Sequence, residues 1–366
     1  MINRSSFERW IFESYSPTLE GLALYRIFTA LFFLFFLLPD VSFYSVLADY
    51  PDDFFAPPPG PMALFDRFPP ELFLQVMHVV LMLSWTAVLI GLKTKIASVV
   101  AGLSMLILLG FLFSLGKINH EILLVVVPIV MAFSNWGGAY SFDQHFGSRN
   151  EKAEGWPLTM LALIIGFMMF TAGFPKILGG WLDLSTQATQ GHLLNQFYVR
   201  ERQELMSAFA IRIESAFIWE LLDWATVLFE TMFIVAVLKS SWTRLFVCFA
   251  VLFHFSIMLT LNIAFLPNFA AYAAFIKWNW VYKRLTGISE KIRSDNFVIL
   301  YGNVLVLIFF TLWILGKRGF LISSEEPNFY EVTFLSAAVL IVLFAGFRKI
   351  RQWNSCRAIR RKKPDI

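Results

Sequence analysis

The chain has 366 residues, of which 58% are hydrophobic and only 15% charged, with a formal net charge of +4. Soluble domains average about 45–50% apolar and about 25% charged residues, so a large water-soluble fold is excluded. Several apolar runs reach or approach the roughly 20 residues that span hydrocarbon as a helix, and the ~10-residue alternation of a membrane β-barrel is not visible. The class expected is all-α: a polytopic bundle of about ten membrane segments, some of them short, in the cell (inner) membrane.

In chain order the expected segments are 21–39, 71–92, 96–115, 120–135, 157–176, 217–238, 243–262, 266–282, 297–316 and 331–347. The first follows a charged start (Arg4, Glu8, Arg9, Glu13) and ends at Leu38-Pro39-Asp40 without a small-x-small pattern, so it reads as a retained helix. The loop after it is acidic (Asp49, Asp52, Asp53, Asp66), and its Pro57-Pro58-Pro59-Gly60-Pro61 cannot continue a helix. Lysine and arginine collect in alternate loops: Lys93 and Lys95, then Lys239 and Arg244, then Lys277, Lys283, Arg284, Lys291 and Arg293. The tail 348–366 is basic throughout. The positive-inside rule puts all of these, and both termini, in the cytoplasm. The tail reads as a topology and anionic-lipid signal rather than a nucleic-acid site. Membrane lipids are the expected partners, with a small-molecule or protein substrate at the outer face.

Cys248 lies in an apolar run and Cys356 in the basic tail, so no disulfide is expected. No Cys/His cluster has metal-ligand spacing, and no metal is expected. The longest segment outside the membrane, roughly 177–216, faces outward in this topology. Its part 203–217 has near-helical amphipathic spacing, suited to a helix on the membrane surface or to a cap over a cavity.

Charged side chains in hydrocarbon cost about 2.5–3.5 kcal/mol each, so each needs a partner or a purpose. Arg26 lies in the first segment. Glu220, Asp223 and Glu230 lie in the sixth, and offsets of three and ten place them on one stripe of a helix. A structural ion pair of Arg26 with Glu230 or Asp223 is expected. Lys176 ends the fifth segment. It is either an interfacial anchor or a desolvated amine able to act as a base. His120 opens the fourth segment beside Asn119, at the same outer level as Lys176. His254 lies within the seventh. His78, His145 and His192 have no such context.

Read together, these residues resemble a known family. Arg26 within Ala23-Leu24-Tyr25-Arg26-Ile27-Phe28 is similar to the first-helix arginine of HTTM proteins, the bacterial relatives of vitamin K-dependent gamma-carboxylase. Asn119-His120 resembles that family's Asn-His. Ser141-Phe142-Asp143 after Trp136-Gly137-Gly138 resembles its cytoplasmic Ser-hydrophobic-Asp. Ala172-Gly173-Phe174-Pro175-Lys176 with Trp181 resembles its Ala-Gly-x-x-Lys…Trp. Thr243-Arg244, Phe253-His254 and Phe265-Leu266-Pro267 resemble its Arg…Phe-His…Phe-Pro run. The likeness covers residues 15–285. It leaves 286–347 as two additional C-terminal membrane helices and 348–366 as a basic cytoplasmic tail.

The resemblance implies chemistry on a reduced quinone, menaquinol or vitamin K-like, of the carboxylase/epoxidase kind. Lys176 would be the general base and His120 its orienting partner, with His254, Asn119 and Trp181 lining the pocket. Two differences stand out. Pro175 occupies the place of a second lysine, and this sequence has no counterpart of the carboxylase's large luminal domain. Two other readings stay open: a non-catalytic membrane scaffold or export/assembly factor, and a small-solute transporter.

Overall fold

A computed structural model describes residues 5–116, 118–146 and 152–289. Among the described residues every regular element is helical. The helices are α1 (Ser6–Glu13), α2 (Leu19–Phe32, continued by a π-helical turn to Leu37), α3 (Ser42–Ala48), α4 (Glu71–Ile90), α5 (Thr94–Phe113) and α6 (Leu123–Met131, opened by a 3-10 turn His120–Ile122). They continue with α7 (Phe142–Phe146), α8 (Trp156–Leu178), α9 (Ala188–Leu194), α10 (Ser207–Ala210), α11 (Ala216–Ala236), α12 (Ser240–Leu261), α13 (Leu266–Tyr272) and α14 (Trp278–Ser289).

Five of these stretches are long and apolar enough to cross a membrane: Leu19–Leu37, α4, α5, α8 and α12. His120–Met131 is apolar but shorter. Helix α11 has the length of a span, yet it carries Glu220, Asp223 and Glu230. The expected eighth segment is not one helix. After Tyr272 the chain tightens into a 3-10 turn, Ile276 is extended (φ −61°, ψ 142°), and α14 starts afresh at Trp278. The Trp278 indole donates to the Ala273 carbonyl at 2.8 Å, pinning that break. Segments 297–316 and 331–347 and the basic tail lie outside the described residues.

The helices form two compact units. One holds the described residues up to Gly179 with 226–244 and 265–289, and the other holds 180–225 and 245–264. In the first, α4 and α5 form a hairpin, α5 packs on α6, and α2 lies against α4 and α14. Large buried side chains fill its core. Trp85 stacks on Phe33 at 4.5 Å, and the Trp136 indole donates to the Ser98 hydroxyl at 3.1 Å. The α4–α5 turn is closed by Gly91 at φ +73°, a left-handed position that favours glycine. Asp143 caps the next helix: its two carboxylate oxygens accept from the backbone N–H groups of Lys93 and Thr94, both at 2.7 Å.

The seam between α8 and α11 is set by two glycines seven residues apart. A Cβ on Gly166 would lie 2.6 Å from Val237 Cγ2, and one on Gly173 would lie 2.7 Å from Glu230 Cβ. Small residues let two helix backbones approach in a membrane, where dispersion and not the hydrophobic effect holds them together.

The second unit is built on Leu193, Ala210 and Trp219, with Ile211, Ile213 and Leu261 packed around them. Asp223 anchors α9 there. It accepts the backbone N–H groups of Ala188 (2.8 Å) and Thr189 (2.7 Å) and the Thr189 hydroxyl, satisfying donors that a helix start leaves open.

Candidate functional site

Lys176 sits in the last turn of α8, where the helix dipole favours a cation. The close approach at Gly173 brings α11 against this turn. The Lys176 ammonium there forms a salt bridge with Glu230, whose side chain is 7% exposed against 23% for the lysine. The amine at the centre of the sequence reading therefore has a carboxylate on it.

Around Glu230 the first unit adds groups that the sequence did not single out. Glu230 acts electrostatically on Tyr272, a fully buried phenol at the end of α13. Asn268, one turn earlier, donates from its amide nitrogen to the Tyr272 hydroxyl at 3.3 Å. The Asn268 amide oxygen is buried with no hydrogen-bond partner among the described residues. The other end of α13 faces His120, whose ring lies 4.5 Å from that of Phe265. Helix α13 is about 10 Å long, so it carries neighbours of both His120 and Glu230 on one short rod. Asn119 is committed locally, its side chain accepting the Glu121 N–H at 2.9 Å to cap the turn that begins at His120. Tyr272 lies in an apolar run and hydropathy gives no reason to pick it out, but Asn268 is a polar side chain inside that run, a signal that could have marked it.

His254 is buried within α12, its ring 5.4 Å from that of Phe253. Trp181 lies 5.4 Å from His192, so that histidine has an aromatic partner after all. Asp183 accepts from the Ser185 N–H at 3.0 Å and its hydroxyl at 2.9 Å, which hold its carboxyl below the usual range. His78 accepts or donates at 3.1 Å to the Tyr44 hydroxyl.

The expected pairing of Arg26 is revised. Arg26 is fully buried, and its guanidinium donates to the Tyr140 carbonyl at 2.6 Å. Its NH1 is pressed against Gly91, and the acid whose charge acts on it is Asp143. The reason is position along the bundle. Arg26 is two turns into α2, at the level of the α4–α5 turn, near the end where α8 begins: Gly155 abuts the Tyr15 carbonyl. Glu230 is at the far end of α8, about 30 Å away along that helix.

No protein-family model, no curated protein and no solved structure matches this chain.

Proposed function

We propose that the chain is an integral membrane protein of the HTTM type, and that the Lys176–Glu230 pair is a proton-handling centre for a reduced quinone. What supports this reading is the company the pair keeps. A buried amide oxygen without a donor, a buried phenol and a carboxylate–ammonium pair gather around α13 in one unit. That set fits a hydroquinone: Asn268 Oδ1 accepts one hydroxyl, and the Tyr272 hydroxyl and the pair address the ring's polar edge. The bound quinol would supply an acidic O–H and, once deprotonated, a reductant. The chain's own task is to take that proton. With a carboxylate beside the amine, the acceptor is the pair as a unit: Glu230 receives the proton while the Lys176 charge stabilises the oxyanion.

The test is turnover of a menaquinol analogue by purified protein, with and without oxygen. Lys176→Gln and Glu230→Gln should each reduce the rate by at least about a hundredfold, the usual contribution of a positioned acid–base group. Turnover that survives both changes, or is absent in the unaltered protein, removes the catalytic reading.

One observation favours a second reading, a non-catalytic scaffold. The pair sits where Gly173 draws α8 onto α11, so it also serves as an interhelical fastener. An apolar replacement, Lys176→Met with Glu230→Leu, separates the two. A scaffold keeps its cellular function with that double change, and a proton-transfer centre loses it.

A further inference from the structure

In the second unit the segment Gln196–Met206 is wound against the end of α12 by a set of hydrogen bonds. Arg202 N–H donates to the Gln196 carbonyl at 3.0 Å, and Met206 N–H donates to the Leu259 carbonyl at 2.9 Å. The Asn262 amide donates to the carbonyls of Arg202 (3.3 Å) and Glu204 (3.1 Å). Asn262 is only 1% exposed. Its Oδ1, the Gln196 Oε1 and the Arg202 Nε are all buried with no hydrogen-bond partner among the described residues. Buried polar atoms are nearly always satisfied, so two acceptors and one charged donor on one small backbone cage point to something polar that binds there. The cage also holds Glu201 at φ +56°, Leu205 at φ +53° and Asn262 at φ +54°. Left-handed backbone is unfavourable for the first two and persists where surroundings impose it, often at ligand sites.

We propose that this cage binds the headgroup of a phosphoethanolamine-type phospholipid. The chemistry matches a zwitterion. The Arg202 guanidinium suits a phosphate oxygen through a charge-assisted bond. The Gln196 and Asn262 amide oxygens suit the N–H donors of a primary ammonium, and Glu201 and Glu204 flank the arginine with negative charge. Tyr198, Val199 and Met206 are exposed on the same segment, and Phe209 is exposed just after it in α10, as residues lying against acyl chains would be. A choline headgroup offers the phosphate without any N–H. The proposal is independent of the quinol reading.

The experiment is native mass spectrometry of the full chain released from detergent, titrated with phosphatidylethanolamine or phosphatidylcholine of identical acyl chains. The unaltered protein should retain the ethanolamine lipid at about a tenfold lower concentration, the equivalent of one good polar contact. Gln196→Met should bring the two lipids towards parity, and Arg202→Gln should weaken the retention of both, each without changing the melting temperature. Equal retention of both lipids by the unaltered protein overturns the proposal, even if the variants fail to fold. A full preference that persists in folded Gln196→Met, or retention of both lipids unchanged in folded Arg202→Gln, overturns it too. Soluble phosphoethanolamine should compete only at far higher concentration. Displacement at the concentration of the lipid itself would make this a site for the free headgroup and overturn the lipid assignment.

Discussion

Glu230 is nearly buried and has Lys176 as its salt-bridge partner, so removing the lysine's charge leaves a carboxylate stranded in the interior. Breaking a buried pair typically costs about 3–5 kcal/mol, and the partial exposure of Lys176 places this one near the lower end, about 3 kcal/mol. Glu230→Gln is the milder change, because the lysine can turn towards water. Lys176→Met is the harsher one. Unfolding in detergent should rank them in that order, and the Lys176→Met/Glu230→Leu double variant should recover most of the loss. A double-mutant cycle with no coupling between the two sites contradicts the pairing. Gly91 offers a second test at the same scale. Its φ is +73°, and an added Cβ would lie 2.2 Å from Ser141 Cβ and 2.4 Å from Arg26 NH1. Gly180 has a similar φ of +79° but nothing within 4 Å of an added Cβ. Gly180→Ala should therefore cost only the conformational penalty of about 1 kcal/mol, and Gly91→Ala about 1–3 kcal/mol more for overpacking. Equal melting temperatures for the two variants would show that Arg26 does not sit where the structure puts it.

Helices α8 and α11 meet through Gly166 and Gly173, and this contact decides whether Lys176 reaches Glu230 at all. Gly173→Ala drives a methyl into Glu230 Cβ and also to within 3.1 Å of the Thr231 backbone nitrogen, which cannot swing aside. It should separate the helices at the level of the pair. A cysteine cross-link between Met169→Cys and Thr231→Cys should form more slowly once Gly173 is alanine, and an unchanged rate would count against the seam. The extent of α2, α4, α5, α8 and α12 was readable in the sequence, because hydropathy is a one-dimensional property of a run. The partners of the acids were not. A helical stripe says which way Glu220, Asp223 and Glu230 face but not what faces them. The three take different partners: the Gln187 side-chain amide, the first turn of α9, and Lys176. The break at Ile276 was only half legible, since Lys277 follows it directly but the residues before it are apolar and the indole bond that holds it involves a backbone carbonyl. Of the candidate site, Lys176 was visible as a charge at a helix end and Asn268 as a lone amide in an apolar run, while Tyr272 has neighbours whose composition is that of ordinary core.

At the scale of the whole molecule the open physical question is whether α6 crosses the bilayer. With its opening turn it runs from His120 to Met131, about 18 Å of rise against hydrocarbon about 30 Å thick. Crossing at that length requires the bilayer to thin locally or the turn after Met131 to lie within it. The charges argue that it crosses. Lys93 and Lys95 follow α4, and Lys239 and Arg244 follow α11, and the positive-inside rule wants both turns in the cytoplasm. Helices α5, α6, α8 and α11 separate those turns. Four crossings return the chain to the same side, and three would not. In a background lacking Cys248 and Cys356, single cysteines at the exposed positions Lys95, Ser185 and Ser241 decide the matter. A membrane-impermeant maleimide on intact cells should label Ser185→Cys at once. It should label Lys95→Cys and Ser241→Cys only after permeabilisation. If α6 merely dips into the membrane, Ser185 shares a side with Lys95 and Ser241 lies opposite. In that event the Lys176–Glu230 pair would face the cytoplasm, and a quinol reaching it would have to release its proton on that side.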